Sequence, residues 1–211
     1  MIDYKVEPIE IKLRSVKLNG TFFRYFGSKK LVIFTHGSGS SRLSPRNIAV
    51  ANYFLTRKIS SFLFDLLTED EDKLYQNRFE IDLITNRLVE VTQWLRNQKN
   101  TNKMEFGYFG SSTGAAAALK AAIKLPKEIK AVVSRGGRPD LVILELPKVK
   151  IPTLLIVGEL DNEVLELNKK AYESLDGIKK LEIVPGATHL FEEQGKIEKV
   201  SKLAADWFDK Y

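Results

Sequence analysis

The chain has no cysteine and only two histidines, His36 and His189, among its 211 residues. Without cysteine there is no disulfide, no thiol nucleophile and no thiolate metal site. Nor do His, Asp and Glu cluster at ligand spacing, so neither a metal nor an organic cofactor is expected. Long apolar runs are also missing, and none comes near the about 18 residues that a membrane span needs. The opening Met1-Ile2-Asp3-Tyr4-Lys5 mixes charge with apolar residues and lacks the apolar core of a secretory signal. The expectation is a cytoplasmic protein with no membrane partner.

Charge of one sign is nowhere concentrated. The net charge of +6 comes from 33 basic and 27 acidic side chains, and the lysines are interleaved with acids, as in Lys196-Ile197-Glu198-Lys199. No run of five Lys or Arg occurs, and no nucleic-acid motif, so a mixed, solvated surface accounts for the charge better than a nucleic-acid partner does. At 44% hydrophobic and 28% charged residues the composition is that of a globular protein. The length fits a single domain over 1–211, as a monomer or homodimer, and no internal repeat is visible.

What is present is an alternation of strand-like and helix-like segments. Apolar runs at 31–35, 61–66, 104–109, 131–134, 153–157 and 181–184 read as buried strands. Helical periodicity marks 45–58, 78–97, 112–125, 163–175 and 192–209. Such alternation predicts an α/β fold with a mostly parallel sheet. The first strands differ: runs at 9–13 and 21–26 flank Asn19-Gly20, a tight-turn signal, so an N-terminal antiparallel hairpin is expected. Only a short helix fits between residues 134 and 153, which leaves no room for a cap domain there.

The chemistry-bearing motif is Gly110-Ser111-Ser112-Thr113-Gly114. By itself Gly-x-Ser-x-Gly is a weak signal. Here a strand run, Phe106-Gly107-Tyr108-Phe109, precedes it, and a helix-forming run, Ala115-Ala116-Ala117-Ala118-Leu119, follows. A serine at that junction sits on a sharp strand-to-helix turn with its hydroxyl thrust out above the sheet. The helix N-terminus then offers a positive end to a developing oxyanion. The same residues could form a plain helix start capped by Ser111 or Ser112. A phosphate-binding turn fits less well, because neither Gly-x-Gly-x-x-Gly nor Gly-Lys-Ser/Thr is present.

For such a nucleophile the partners follow in the chain order serine, acid, histidine. His36 precedes Ser112, so only His189, in the loop after the last strand run, can be the base. Asp161, in Gly158-Glu159-Leu160-Asp161 at the end of the 153–157 run, is the first choice of acid. Asp140 is second, Glu159 a minor candidate, and Asp176-Gly177 reads as a helix-ending turn. The loop His36-Gly37-Ser38-Gly39 follows the first central strand. It is placed to aim a backbone N–H of Ser38, or of Gly39, at a substrate carbonyl, with the N–H of Thr113 as the second oxyanion donor. His36 is expected to be structural, its ring bonded to the loop backbone. Arg42, Arg135 and Arg138 lie near these loop ends. Their planar forks suit a carboxylate or phosphate on the substrate, or else ion pairs with Asp65, Glu69 or Asp140.

Several stretches together carry a family resemblance. They include His36-Gly37-Ser38-Gly39-Ser40-Ser41-Arg42, Phe64-Asp65-Leu66-Leu67-Thr68 and Gly107-Tyr108-Phe109-Gly110-Ser111-Ser112-Thr113-Gly114. Ser44-Pro45-Arg46-Asn47, Ser134-Arg135-Gly136-Gly137-Arg138-Pro139-Asp140-Leu141, Pro152-Thr153-Leu154-Leu155-Ile156-Val157-Gly158 and Pro185-Gly186-Ala187-Thr188-His189-Leu190-Phe191-Glu192 complete the set. With them the chain, from about Leu31 to its end, resembles a bacterial and archaeal branch of the dienelactone hydrolase-like α/β-hydrolases, some of which are fused to a phosphoribosyltransferase domain. The resemblance implies an α/β-hydrolase fold with an eight-stranded sheet and a triad of Ser112, Asp161 and His189. It departs from dienelactone hydrolase proper at the nucleophile, which there is a cysteine, so that enzyme's lactone is not carried over. The expected activity is hydrolysis of a small-molecule ester or lactone, anionic if the arginines serve it, through an acyl-enzyme. A thioesterase or acyltransferase on the same residues, or a non-catalytic ligand-binding module, are the alternatives.

Overall fold

The computed structural model describes residues 3–211. Eight strands form one sheet: β1 (Tyr4–Lys12), β2 (Lys17–Tyr25), β3 (Lys30–Thr35), β4 (Ser60–Phe64), β5 (Glu105–Ser111), β6 (Ile129–Arg135), β7 (Thr153–Gly158) and β8 (Lys179–Val184). Their spatial order is β1-β2-β4-β3-β5-β6-β7-β8. The β1/β2 and β2/β4 pairs are antiparallel, and every pair from β4/β3 onward is parallel. The helices are α1 (Pro45–Thr56), a one-turn α2 (Glu69–Asp72), α3 (Ile81–Arg96), α4 (Thr113–Lys124), α5 (Asn162–Ser174) and α6 (Lys196–Lys210). Short 3-10 helices occupy Tyr75–Phe79 and Pro139–Lys148. Among the described residues, no helix is long and apolar enough to cross a membrane.

The sheet divides the core in two. The apolar faces of α3 (Ile84, Leu88, Val91, Leu95) and α4 (Ala116 to Leu119) pack on one side. Those of α1 (Val50, Ala51, Phe54, Leu55) and α6 (Val200, Ala204, Trp207, Phe208) pack on the other. The connection leaving β3 therefore goes to one face and the connection leaving β5 to the opposite face. A crevice opens between the carboxyl ends of these two neighbouring strands, where sheets of this kind bind ligands.

The hairpin forms, but its turn is not at Asn19-Gly20. The chain reverses between Leu13 and Val16, closed by Leu13 N–H donating to Val16 O (3.0 Å), and Asn19 and Gly20 lie inside β2. Gly20 is needed there for space: a Cβ on it would stand 2.8 Å from the Phe62 ring and 3.3 Å from Ile11. The last helix also begins later than its periodicity predicts, at Lys196 rather than Glu192. The intervening residues are held in the loop after β8, where Phe191 takes a φ of 57° and Glu193 accepts from Thr188. Likewise α3 starts at Ile81 rather than Arg78, whose guanidinium turns back to grip Asp72 through Nε and Nη2. The one-turn α2 had no periodicity to announce it and rests on a capping box between Thr68 and Glu71.

Candidate active site

β5 runs straight into α4, and Ser112 is the hinge between them. Its backbone is at φ 50°, ψ −125°, a region that side-chain-bearing residues avoid, at a cost on the order of 1–3 kcal/mol. The turn is this tight because α4 is pressed against the end of β3. A Cβ at Gly114 would come 2.4 Å from the carbonyl oxygens of Thr35 and His36, and one at Gly110 would come 2.5 Å from Ala115 Cα. The position is then fixed by backbone bonds. Ser112 N–H donates to Arg135 O (3.4 Å), while Ser112 O accepts from Ala115 N–H and Arg138 N–H (both 3.0 Å). Although Ser112 occupies the N-cap position of α4, its hydroxyl makes no capping bond. Ser111, the other candidate cap, points its hydroxyl to Asn47 Oδ1 (3.3 Å).

Asp161 repeats the pattern at the end of β7. It is the N-cap residue of α5 and yet caps nothing. Its carboxylate accepts instead from His189 Nδ1 at 2.6 Å. A carboxylate can only accept, so the imidazole proton is held on Nδ1 and Nε2 is left as the basic nitrogen. The loop carrying His189 is tied down on both sides: Gly186 N–H donates to Glu159 (2.7 Å), and the N–H and hydroxyl of Thr188 donate to Glu193 (3.1 and 2.6 Å). Phe191, 1% exposed, anchors the far end in the core. The strand-end segment Gly136–Arg138 joins the two halves. Arg138 N–H holds Ser112 O, and a Cβ on Gly136 would lie 3.5 Å from the His189 ring.

The loop after β3 closes the other side. A Cβ at Gly37 would stand 2.9 Å from Ser112 Cβ, so only glycine leaves room for the Ser112 side chain. Ser38 N–H is directed across this gap to Thr113 Oγ1 (3.0 Å). Thr113 N–H, the first of α4, has no backbone acceptor among the described residues, as is general for the first turn of a helix. His36 lies beneath this loop. Its Nδ1 donates to Gly37 O (2.9 Å) and its Nε2 accepts Leu66 N–H (3.2 Å). Burial holds its imidazole below the ordinary histidine range, against smaller upward pulls from Gly37 O, Asp65 and Asp72.

Of the alternative acids, Asp140 is gripped through both oxygens by Arg138 Nε and Nη2 (2.8 Å each), and Glu159 is spent on Gly186. The three arginines part ways. Arg42 pairs with Asp65 through its side chain and its N–H, and Arg138 pairs with Asp140. Arg135 has no carboxylate. Two supporting residues carry no local spacing signal: Asn47 in α1, which accepts from the Ser111 hydroxyl, and Glu193, which accepts from Thr188 within the loop after β8.

Comparison with known proteins gives the family and the fold. The sequence pattern of the dienelactone hydrolase family matches residues 56–210. A crystal structure of dienelactone hydrolase from Anabaena variabilis ATCC 29413 superposes with a TM-score of 0.95 at 45% identity, covering 99% of both chains. The Pyrococcus furiosus esterase Pf2001 shares the fold at 20% identity and a TM-score of 0.80, over 99% of this chain and 92% of its own. Among curated proteins, one of Mycobacterium tuberculosis (strain ATCC 25618 / H37Rv) named putative phosphoribosyl transferase is 53% identical over 178 residues. That match takes in 84% of this chain but only 40% of the relative's length.

Proposed function

Because the chain belongs to the dienelactone hydrolase family, we propose that it hydrolyses a small carboxylic ester or lactone through Ser112, His189 and Asp161. Family membership and the 45%-identical structure support a hydrolase; the triad and the substrate class are the present reading. The observation that carries it is the pair of unused caps. Serine and aspartate at an N-cap ordinarily stabilise a helix by about 1 kcal/mol, and here both forgo that bond. Asp161 gives its carboxylate to His189, and Ser112 is held in a strained conformation with its hydroxyl uncommitted. A merely structural turn has no reason to accept either loss.

In this reading His189 Nε2 takes the Ser112 hydroxyl proton as Oγ attacks the substrate carbonyl carbon, and Asp161 steadies the resulting imidazolium. The carbonyl oxygen becomes an oxyanion that accepts from the N–H groups of Thr113 and Ser38. Ser38 N–H now donates to Thr113 Oγ1, so the oxyanion must take that bond over. Collapse of the intermediate breaks the bond to the leaving oxygen, which receives the proton from His189. Water then adds to the acyl-enzyme with His189 again acting as base, and carboxylic acid leaves. With only the 3-10 helix Pro139–Lys148 between β6 and β7, no cap domain intervenes there, which suits small or flexible esters.

A fluorophosphonate probe tests the assignment. Labelling of the wild type that disappears in Ser112→Ala is expected. Failure of the folded wild type to label would favour a ligand-binding module over an enzyme.

A further inference from the structure

Thr113, the first residue of α4, is 5% exposed. Its hydroxyl oxygen accepts the N–H of Ser38 at 3.0 Å, the amide proposed above as an oxyanion donor. A hydroxyl also has one proton to give. Hydroxyls inside a helix give it to the carbonyl four residues back, as Thr92 does to Leu88 O and Ser201 to Ile197 O (2.7 Å each). Thr113 has no such outlet. The carbonyl four residues before it, Phe109 O, belongs to β5 and faces Thr35 Oγ1 (3.4 Å). Apart from the bond from Ser38, the Thr113 hydroxyl has no hydrogen-bond partner among the described residues. It is also confined. The first turn of α4 is pressed against the end of β3, where Thr35 Oγ1 donates to Gly114 O (2.9 Å) and a Cβ at Gly114 would come 2.4 Å from the carbonyl oxygens of Thr35 and His36. A buried hydroxyl with an unspent proton is thus held where the amides of Ser38 and Thr113 are to converge.

We propose that the Thr113 hydroxyl is a catalytic residue in its own right, a third donor to the oxyanion. In the free protein its oxygen holds the oxyanion's place at Ser38 N–H. When the substrate's oxygen takes that bond, the Thr113 oxygen loses its one donor while still buried. A buried polar group left without a partner is costly. The new acceptor beside it is the oxyanion, and a hydroxyl donating to a charged oxygen makes one of the stronger hydrogen bonds. The group turns from acceptor to donor, and the displacement of one bond is offset by the formation of another. A neutral ester carbonyl is a weaker acceptor than the oxyanion, so the exchange belongs to the transition state and acts on kcat rather than on KM. The inference rests on the esterase reading above, because it needs an oxyanion at Ser112.

Steady-state hydrolysis of 4-nitrophenyl acetate by the full chain tests the hydroxyl. Thr113→Val keeps the side chain's shape and removes only its hydrogen bonding. Loss of one oxyanion donor costs about 10²–10³ in kcat, and freeing Ser38 N–H from its competitor returns about tenfold at most. The net expectation is a fall in kcat of about tenfold or more, with KM changed by no more than about twofold. Thr113→Ser, which restores the hydroxyl, should recover most of the loss. Circular dichroism checks that each variant folds, and Thr113→Ala replaces Thr113→Val if the valine does not. An unchanged or raised kcat in the folded Thr113→Val protein overturns the proposal, because the hydroxyl then only fills the hole. Equal losses in the valine and serine variants, or a loss confined to KM, overturn it as well, because packing or binding is then what changed. A wild type that cleaves no ester and takes no fluorophosphonate label sinks the esterase reading and this inference with it. An active wild type whose kcat does not depend on the hydroxyl sinks the inference alone.

Discussion

The strain at Ser112 has a measurable consequence in stability. At φ 50° and ψ −125° the Cβ crowds the backbone, and replacing Ser112 with glycine removes that crowding. None of the backbone bonds is lost, because they involve only N–H and C=O groups: to Arg135, Ala115 and Arg138. Nor is a cap lost, because the hydroxyl caps nothing. Relief of about 1–3 kcal/mol, less about 0.5–1 kcal/mol for glycine's extra freedom in the unfolded chain, leaves Ser112→Gly more stable by roughly 0.5–2 kcal/mol. For a chain of this size that is a rise in Tm of about 1–8 °C. Ser112→Ala is the control: it also loses the hydroxyl but keeps Cβ, and so keeps the strain. Its Tm should match the wild type, without the about 1 kcal/mol penalty that accompanies loss of a working N-cap. Differential scanning calorimetry of the three proteins decides. Equal Tm values for the glycine and alanine variants would show that the turn stores no strain. A clear loss of stability in Ser112→Ala would show that the hydroxyl caps α4 after all.

Two further outcomes follow from the site. Asp161→Asn should lower kcat about a thousandfold or more by holding His189 in the wrong tautomer, whereas Asp140→Asn, whose partner is Arg138, should alter kcat by no more than about threefold; comparable losses in the two variants would refute the choice of acid. His36 gives a pH dependence: burial holds it below the ordinary value of 6.5, so at and below that pH the unfolded chain binds a proton that the folded chain does not. Stability should therefore be full above pH 6.5 and decline as pH falls from there toward about 5, before most carboxylates titrate; a urea midpoint that is flat across this window would show that His36 titrates normally in the fold.

The sheet was legible because each central strand is a short, wholly buried apolar run between helical periodicities. Those patterns are local. Asn19-Gly20 misled for the opposite reason: the pair has the local chemistry of a turn, but Gly20 answers to Phe62, a ring 42 positions away that packs over the strand. The beginning of α6 departs from its periodicity for a local reason: Glu193 is claimed by Thr188, five residues earlier, before it can join the helix. In the site, chain order singled out His189, and the strand-end position singled out Asp161. The supports of that pair came only with the fold. The arginines show the boundary well. Arg138 and Asp140 are two residues apart and their pairing could be entertained from sequence, but Arg42 meets Asp65 across two strand ends, and the isolation of Arg135 is a property of everything around it.

The caps bear on the two readings that the motif alone left open, and support the catalytic one proposed above. A Gly-x-Ser-x-Gly turn that only starts a helix would turn Ser111 or Ser112 onto the free amides of α4, because an uncapped helix start forfeits stability with no return. Here Ser111 goes to Asn47 and Ser112 to no backbone amide. Asp161 makes the same departure one helix away, and its carboxylate meets the single histidine that follows it in the chain. One vacant cap could be an accident of packing. Two vacant caps flank the same crevice, one leaving a hydroxyl uncommitted and the other giving its carboxylate to a neighbouring imidazole, and both suit the proton transfer proposed above.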